Sequence, residues 1–288
     1  MPDKLFAARA ALHPWEEPCI SGEYGSGTVF FSGCSLRCIY CQNHDIALGL
    51  SGKEIDPSRL AEIFLELQEK RAANINLVTP THYIPSILIA IKRAKDTGLS
   101  LPIVYNTGNY ETLDTLRMLE GSVDVYLPDF KYWSETPAAR YSGTPDYAVH
   151  AMANIAEMFH QVGEAKFSIP QENCTTKENK ELESESCLMT RGIIVRHLVL
   201  PGAISDAKKI VRYLYQTYGN SIYLSILNQY TPIAKNLGAF PELNRAITQA
   251  EYDEVVDYAI KLGVENAFIQ EGETAEESFI PDFSFEGI

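Results

Sequence analysis

Apolar positions along this chain follow two alternating periods. Leu60, Ile63, Phe64 and Leu67 fall at i, i+3, i+4 and i+7, one face of a helix. Asp56-Pro57 ahead of them supplies an N-cap and a first-turn proline. Ile87, Ala90, Ile91 and Ala94 repeat the pattern before Gly98, and Glu111 to Glu120 reads as a helix closed by Gly121. Ala148, Met152, Ile155, Ala156 and Phe159 mark a longer helix that stops near Gly163. Ile210, Val211, Leu214 and Tyr218 mark another, closed by Gly219. The last begins with the capping box Thr248-x-x-Glu251 and carries Tyr252, Val255, Val256 and Ala259 to Gly263.

Between these helices lie short apolar, β-branched runs that read as strands: Gly27 to Gly33, Asn74 to Val78, Pro102 to Asn106, Val123 to Leu127, Gly192 to Leu200 and Ser221 to Leu227. Strand and helix alternate about six times, which predicts parallel strands with crossover helices. An open doubly wound sheet and a barrel both satisfy the pattern. Two stretches stand outside it. The lead, residues 1–26, reads as irregular, with Gly22, Gly25 and Gly27 as a flexible approach to the first strand. Pro170 to Arg191 is polar, carries an excess of acid and reads as an exposed insertion.

Composition changes little. The 288 residues suffice for one large domain, are 45% hydrophobic and 22% charged, and carry a formal net charge of −14. That charge argues against a nucleic-acid partner. No run approaches the ~18 apolar residues of a membrane span, and the expected compartment is a reducing cytoplasm. Six cysteines in a chain this long do not form a disulfide framework pattern. Cys19 reads as a small buried thiol, and Cys174 with Cys187 as a redox pair, a second cluster loop or plain insertion residues.

The candidate chemistry lies at the end of the first strand, in Phe30-Phe31-Ser32-Gly33-Cys34-Ser35-Leu36-Arg37-Cys38-Ile39-Tyr40-Cys41-Gln42-Asn43. Three cysteines at C-x3-C-x2-C are soft ligands for zinc or an iron–sulfur cluster. A structural zinc site closes with four ligands, and here His44 is the available fourth. A cuboidal cluster held by Cys34, Cys38 and Cys41 alone leaves one iron open.

This loop, with its Gly33 turn and Tyr40 before the third cysteine, resembles the cluster loop of the radical S-adenosylmethionine superfamily. The resemblance runs from about Gly27 to Tyr230 and is nearest to the pyruvate formate-lyase activating enzyme and its uncharacterised relatives. It implies an α/β fold, a full or partial (β/α)6 TIM-like barrel of parallel strands in one domain over 1–288, with 264–288 as a C-terminal extension. It implies a [4Fe–4S] cluster on the three cysteines and S-adenosylmethionine on its open iron. Reductive cleavage would then give a 5′-deoxyadenosyl radical that abstracts hydrogen from a protein, a peptide or a small molecule, glycyl-radical activation included.

By the same resemblance Asp129-Phe130-Lys131 matches an Asp-x-Lys of the activating enzyme, so Asp129 and Lys131 are expected at the catalytic centre. Asn106-Thr107 stands where that family has Asp-Thr, part of a monovalent-cation site. Arg196, with Val199-Leu200-Pro201-Gly202, resembles its cofactor-binding strand. Tyr40, Gln42, Asn43, Asn228 and Gln229 complete the expected cofactor contacts. The chain departs from the family after its second strand. Thr79-Pro80-Thr81-His82 replaces a Gly-Gly-Glu that receives the methionine amino group, so Thr79, Thr81 and His82 are expected there without an anion. Flavodoxin or ferredoxin is the implied electron donor. Two readings of other kinds stand beside this one: a non-catalytic iron–sulfur electron carrier and a zinc-stabilised interaction protein.

Overall fold

The structure is a computed structural model that describes residues 4–169, 187–232, 237–270 and 283–288. The chain opens with β1 (Leu5–His13), α1 (Pro18–Ser21), β2 (Ser26–Phe31), α2 (His44–Ala47) and β3 (Lys53–Ile55). Helix α3 (Pro57–Glu69) leads to β4 (Ile75–Val78), α4 (Ile84–Asp96) to β5 (Ile103–Thr107), and α5 (Leu113–Arg117) to β6 (Val125–Pro128). Then come α6 (Glu135–Ser142), α7 (Tyr147–Val162), β7 (Lys166–Phe167) and β8 (Met189–Leu198). The last elements are α8 (Ile204–Tyr218), β9 (Tyr223–Leu227), α9 (Gln249–Leu262) and β10 (Ala267–Ile269).

One sheet runs in the order β10-β9-β8-β6-β5-β4-β2-β1-β3, with β7 beside β8. The strands from β2 through β4, β5, β6, β8 and β9 to β10 are parallel neighbours. Strand β1 is antiparallel to both β2 and β3. The ends of this order do not pair among the described residues, so the sheet is a partial barrel. Every residue of β2, β4 and β6 is buried, as strands covered on both faces require. The apolar faces read from the sequence supply the outer layer: Leu60, Ile63, Phe64 and Leu67 of α3 are buried, as are Ile87, Ala90, Ile91 and Ala94 of α4. The Asp56 carboxylate accepts from the backbone N–H of Ser58 and Arg59, and the Thr248–Glu251 capping box forms as read.

Three differences from the sequence reading have local causes. The lead is not irregular: Leu5–His13 is a strand. Its Ala-rich sequence has little intrinsic β preference, and pairing with β2 and β3 on its two edges decides its conformation. The C-terminal extension likewise adds β10 to the parallel set. Third, α5 starts at Leu113 with Thr112 as N-cap, so Glu111 lies before the helix and turns inward. The insertion falls largely outside the described residues, and Cys174 with it; Cys187, at its described end, is disulfide-bonded. Among the described residues no helix is long and apolar enough to cross a membrane.

Gly27 is a packing position rather than a flexible one. A Cβ there would lie 2.6 Å from the Asn74 carbonyl oxygen and 2.8 Å from the Ala72 Cβ. We expect Gly27→Ala to cost about 1–3 kcal/mol, the range for forcing a methyl into a filled core. An unchanged urea midpoint would contradict that close approach.

Candidate active site

Parallel strands deliver their C-terminal ends to one side of the sheet, and the loops that follow them meet around a cavity of about 450 Å³. The cysteine loop follows β2. Cys38 and Cys41 line the cavity; Cys34 does not line it but lies within electrostatic reach of both. Burial, then the neighbouring Cys38 and Cys34, pushes the Cys41 thiol up to about 12. Burial is also the main cause that raises Cys34, to about 11. Lys131 acts on both in the opposite sense. Cys38 Sγ accepts a hydrogen bond from Ser142 Oγ at 3.0 Å, and Ser142 meets the Tyr132 hydroxyl at 2.7 Å. Tyr132 in turn donates to the Tyr40 hydroxyl at 2.7 Å. A buried polar chain therefore ties the loop to α6 and fixes Tyr40, whose ring packs on Tyr132 and Tyr230 at the cavity wall.

After β6, Asp129 and Lys131 both line the cavity and pair at 2.5 Å. Burial works to lower the Lys131 pKa, but Asp129 and then Cys38 outweigh it and hold the ammonium charged. Tyr147 braces this turn: its hydroxyl accepts from the Lys131 backbone N–H at 3.1 Å and donates to the Asp129 carbonyl at 2.8 Å. His197 is the core histidine on the other face, with Nδ1 2.7 Å from the Phe130 carbonyl and burial lowering its pKa. Gln42 and Asn43 line the cavity, as do Asn106 and Gln229, and Gln42 Nε2 donates to the Gln229 carbonyl at 3.1 Å. Asn228 sits behind them, its backbone N–H on Gln270 Oε1 at 2.7 Å.

The turn after β4 and Thr107 stand outside the cavity lining. Thr79 adopts φ 51°, its N–H on the Asn106 carbonyl, and His82 packs over Gly33 at the root of the cysteine loop. Thr81 and Thr107 both donate to Glu111, which the sequence reading had placed in a helix; the Thr81 bond is 2.8 Å. Glu111 is only 3% exposed, and burial raises its pKa against those two bonds. Thr107, expected beside a monovalent cation, is thus engaged by Glu111, and Asp129 by Lys131.

Arg196 lines the cavity too, but its charge is already answered. Nε and Nη2 grip Glu17 at 2.9 and 2.5 Å, and Nη2 also meets Glu16. Neither glutamate was singled out in the sequence. They lie in the turn between β1 and α1, about 180 residues from their partner, and nothing local marks them for burial. Cys19 is the buried thiol expected, pushed up to about 12 by burial and the Glu17 charge.

A family model described as a 4Fe-4S single cluster domain matches residues 20–142, from before β2 to the serine that bonds Cys38. Among solved structures, Streptococcus suis SuiB bound to S-adenosylmethionine superposes with TM-score 0.52 at 14% identity. That match covers 83% of this chain and 48% of SuiB. The FeFe-hydrogenase maturase HydG from Carboxydothermus hydrogenoformans superposes with TM-score 0.51 at 12% identity, over 88% of this chain and 56% of HydG. The chain shares its fold with these two proteins.

An uncharacterized protein of Methanocaldococcus jannaschii, MJ0674, is 28% identical over 252 residues, 83% of this chain and 63% of that protein. SuiB has also been solved with its precursor peptide SuiA, with TM-score 0.51, 12% identity and coverage of 84% and 47%. This chain therefore spans less than two thirds of each of these proteins. The match to a 4Fe-4S cluster domain and the three loop cysteines fit one another. Among the described residues no three His, Cys, Asp or Glu side chains are gathered as one metal ion needs. A four-iron cluster instead spreads three thiolates over three irons, and the soft, half-buried donor set suits it.

Proposed function

We propose that this chain is a radical S-adenosylmethionine enzyme that acts on a peptide or protein substrate, with glycyl-radical activation as one form of that activity. The observation that carries the reading is the cysteine loop at the end of β2, with Cys38 and Cys41 in the wall of a cavity ringed by the other strand ends. When bound, the cluster would supply one electron to the sulfonium, giving methionine and a 5′-deoxyadenosyl radical.

The protein's own groups have separable tasks. Cys34, Cys38 and Cys41 hold the cluster, and Lys131 offsets part of their negative charge. Asn106, Gln42 and Gln229 offer uncharged polar contacts to a cofactor, and Tyr40 offers an aromatic wall. Apolar walls from Phe30, Val78 and Leu227 limit side reactions of a radical. The likeness to SuiB, solved with a precursor peptide, supports a peptide substrate; the donor of electrons is expected to be a small flavodoxin or ferredoxin.

The test is anaerobic reconstitution with iron and sulfide, followed by dithionite and S-adenosylmethionine. We expect 5′-deoxyadenosine to accumulate by chromatography. A bound cluster with no S-adenosylmethionine cleavage would favour the electron carrier, and retention of zinc with no cluster would overturn the reading.

A further inference from the structure

The turn between β1 and α1 puts Trp15, Glu16 and Glu17 on one wall of the cavity. Glu16 and Glu17 share a single guanidinium, that of Arg196, and Glu17 holds it through both of its oxygens. The side chains are 9% and 5% exposed, so water does little to screen them. Asp129 and Lys131 neutralise each other at 2.5 Å. His13, on the same wall, has its pKa lowered by burial and adds no charge at neutral pH. The wall thus carries one carboxylate more than its cations answer.

A second observation points the same way. Asn76 in β4 is fully buried and donates through Nδ2 to Glu16 Oε1 at 2.9 Å. That bond fixes the amide, because the flipped amide would set two acceptors against each other. The Oδ1 of the same amide is then an acceptor with no partner among the described residues. Strand alternation puts Asn76 on the face of β4 that carries Val78, which lines the cavity. An unanswered carboxylate beside an unanswered carbonyl calls for a cationic N–H donor. Trp15, 58% exposed at the cavity wall, offers the aromatic face that such cations also favour.

We propose that the substrate presents an ammonium or guanidinium on an aliphatic stem, and that Glu16, Asn76 and Trp15 receive it. The inference rests on the radical reading above and names the chemical class of its substrate.

The test uses the cluster-loaded protein with S-adenosylmethionine present. N-acetyl-lysine amide, n-pentylamine and N-acetyl-norleucine amide are titrated by equilibrium dialysis. We expect both amines to bind at least about tenfold more tightly than the norleucine amide, a preference that Glu16→Gln removes. Tighter binding of the lysine amide than of pentylamine identifies a peptide side chain as the source, and equal binding identifies a free amine. Trp15→Leu changes an exposed residue and leaves the ion pairs in place; a several-fold loss of amine affinity there supports the site should Glu16→Gln fail to fold. Equal binding of charged and uncharged probes, no binding, or amine affinity indifferent to both variants would overturn the proposal. So would a Glu16→Gln protein that loses affinity for S-adenosylmethionine alone, since the wall would then serve the cofactor. The two readings separate in the same samples. Amine selectivity without 5′-deoxyadenosine keeps the subsite and removes the radical reading, and 5′-deoxyadenosine without amine selectivity does the reverse.

Discussion

Replacing any one of Cys34, Cys38 or Cys41 by alanine is expected to abolish both cluster assembly and 5′-deoxyadenosine formation. Three thiolates hold three of four irons and leave one open, and among the described residues no other free cysteine stands near enough to replace one of them. Cys19, the remaining one, is buried beside Glu17 and within the field of Arg196. Burial holds Cys34 and Cys41 in the thiol form until a strongly positive centre displaces the proton, so a two-cysteine loop has little tendency to retain iron. Iron and sulfide content and the electron paramagnetic resonance of the reduced protein are the readouts. Cys19→Ala is the control and should keep a full cluster. A full cluster in any of the three loop variants would remove that residue from the ligand set.

Sequence pattern reached most of the scaffold because the scaffold is locally encoded. The strands β4, β5, β6 and β9 are short apolar runs, and the helices between them show one apolar face each. The cysteine loop was legible for a similar reason, since its ligands lie within eight residues of one another. What escaped was fixed by distant partners. Strand β1 lacks β-branched residues and owes its conformation to β2 and β3. Glu111 looked like a first-turn helix residue, yet its carboxylate takes the Thr81 hydroxyl from another strand end. Glu16 and Glu17 looked like a polar lead, because charged residues in an irregular stretch are ordinarily exposed. Distant partners bring them inside: Arg196 in β8 for both, and Asn76 in β4 for Glu16.

That triad yields the second large effect, and it gives Arg196 a structural task beside the cofactor contact that the family resemblance implies. If Arg196 were a cofactor contact alone, Arg196→Ala would weaken S-adenosylmethionine binding in an intact fold. The geometry makes it chiefly a stability variant, because it strands two buried carboxylates. Breaking a buried pair from one side costs about 3–5 kcal/mol. The pH dependence distinguishes the two accounts. In the native protein burial works to raise the Glu17 pKa, but Arg196 outweighs it and holds the carboxyl below its ordinary 4.5. Its contribution is therefore complete above about pH 4.5 and fades only as pH falls through the lower folded value. Without Arg196, burial is opposed only by the hydrogen bonds from the backbone and Ser225, the smallest of the lowering causes, and the folded pKa is expected to move above the unfolded one. The variant then pays its full penalty at pH 8 and recovers part of it as the pH falls through that raised value toward 4.5. Urea midpoints of the two proteins should converge between pH 8 and pH 5.5. Midpoints that agree at pH 8, with S-adenosylmethionine affinity lost, would return Arg196 to the cofactor and leave Glu16 and Glu17 without their structural reason for being buried.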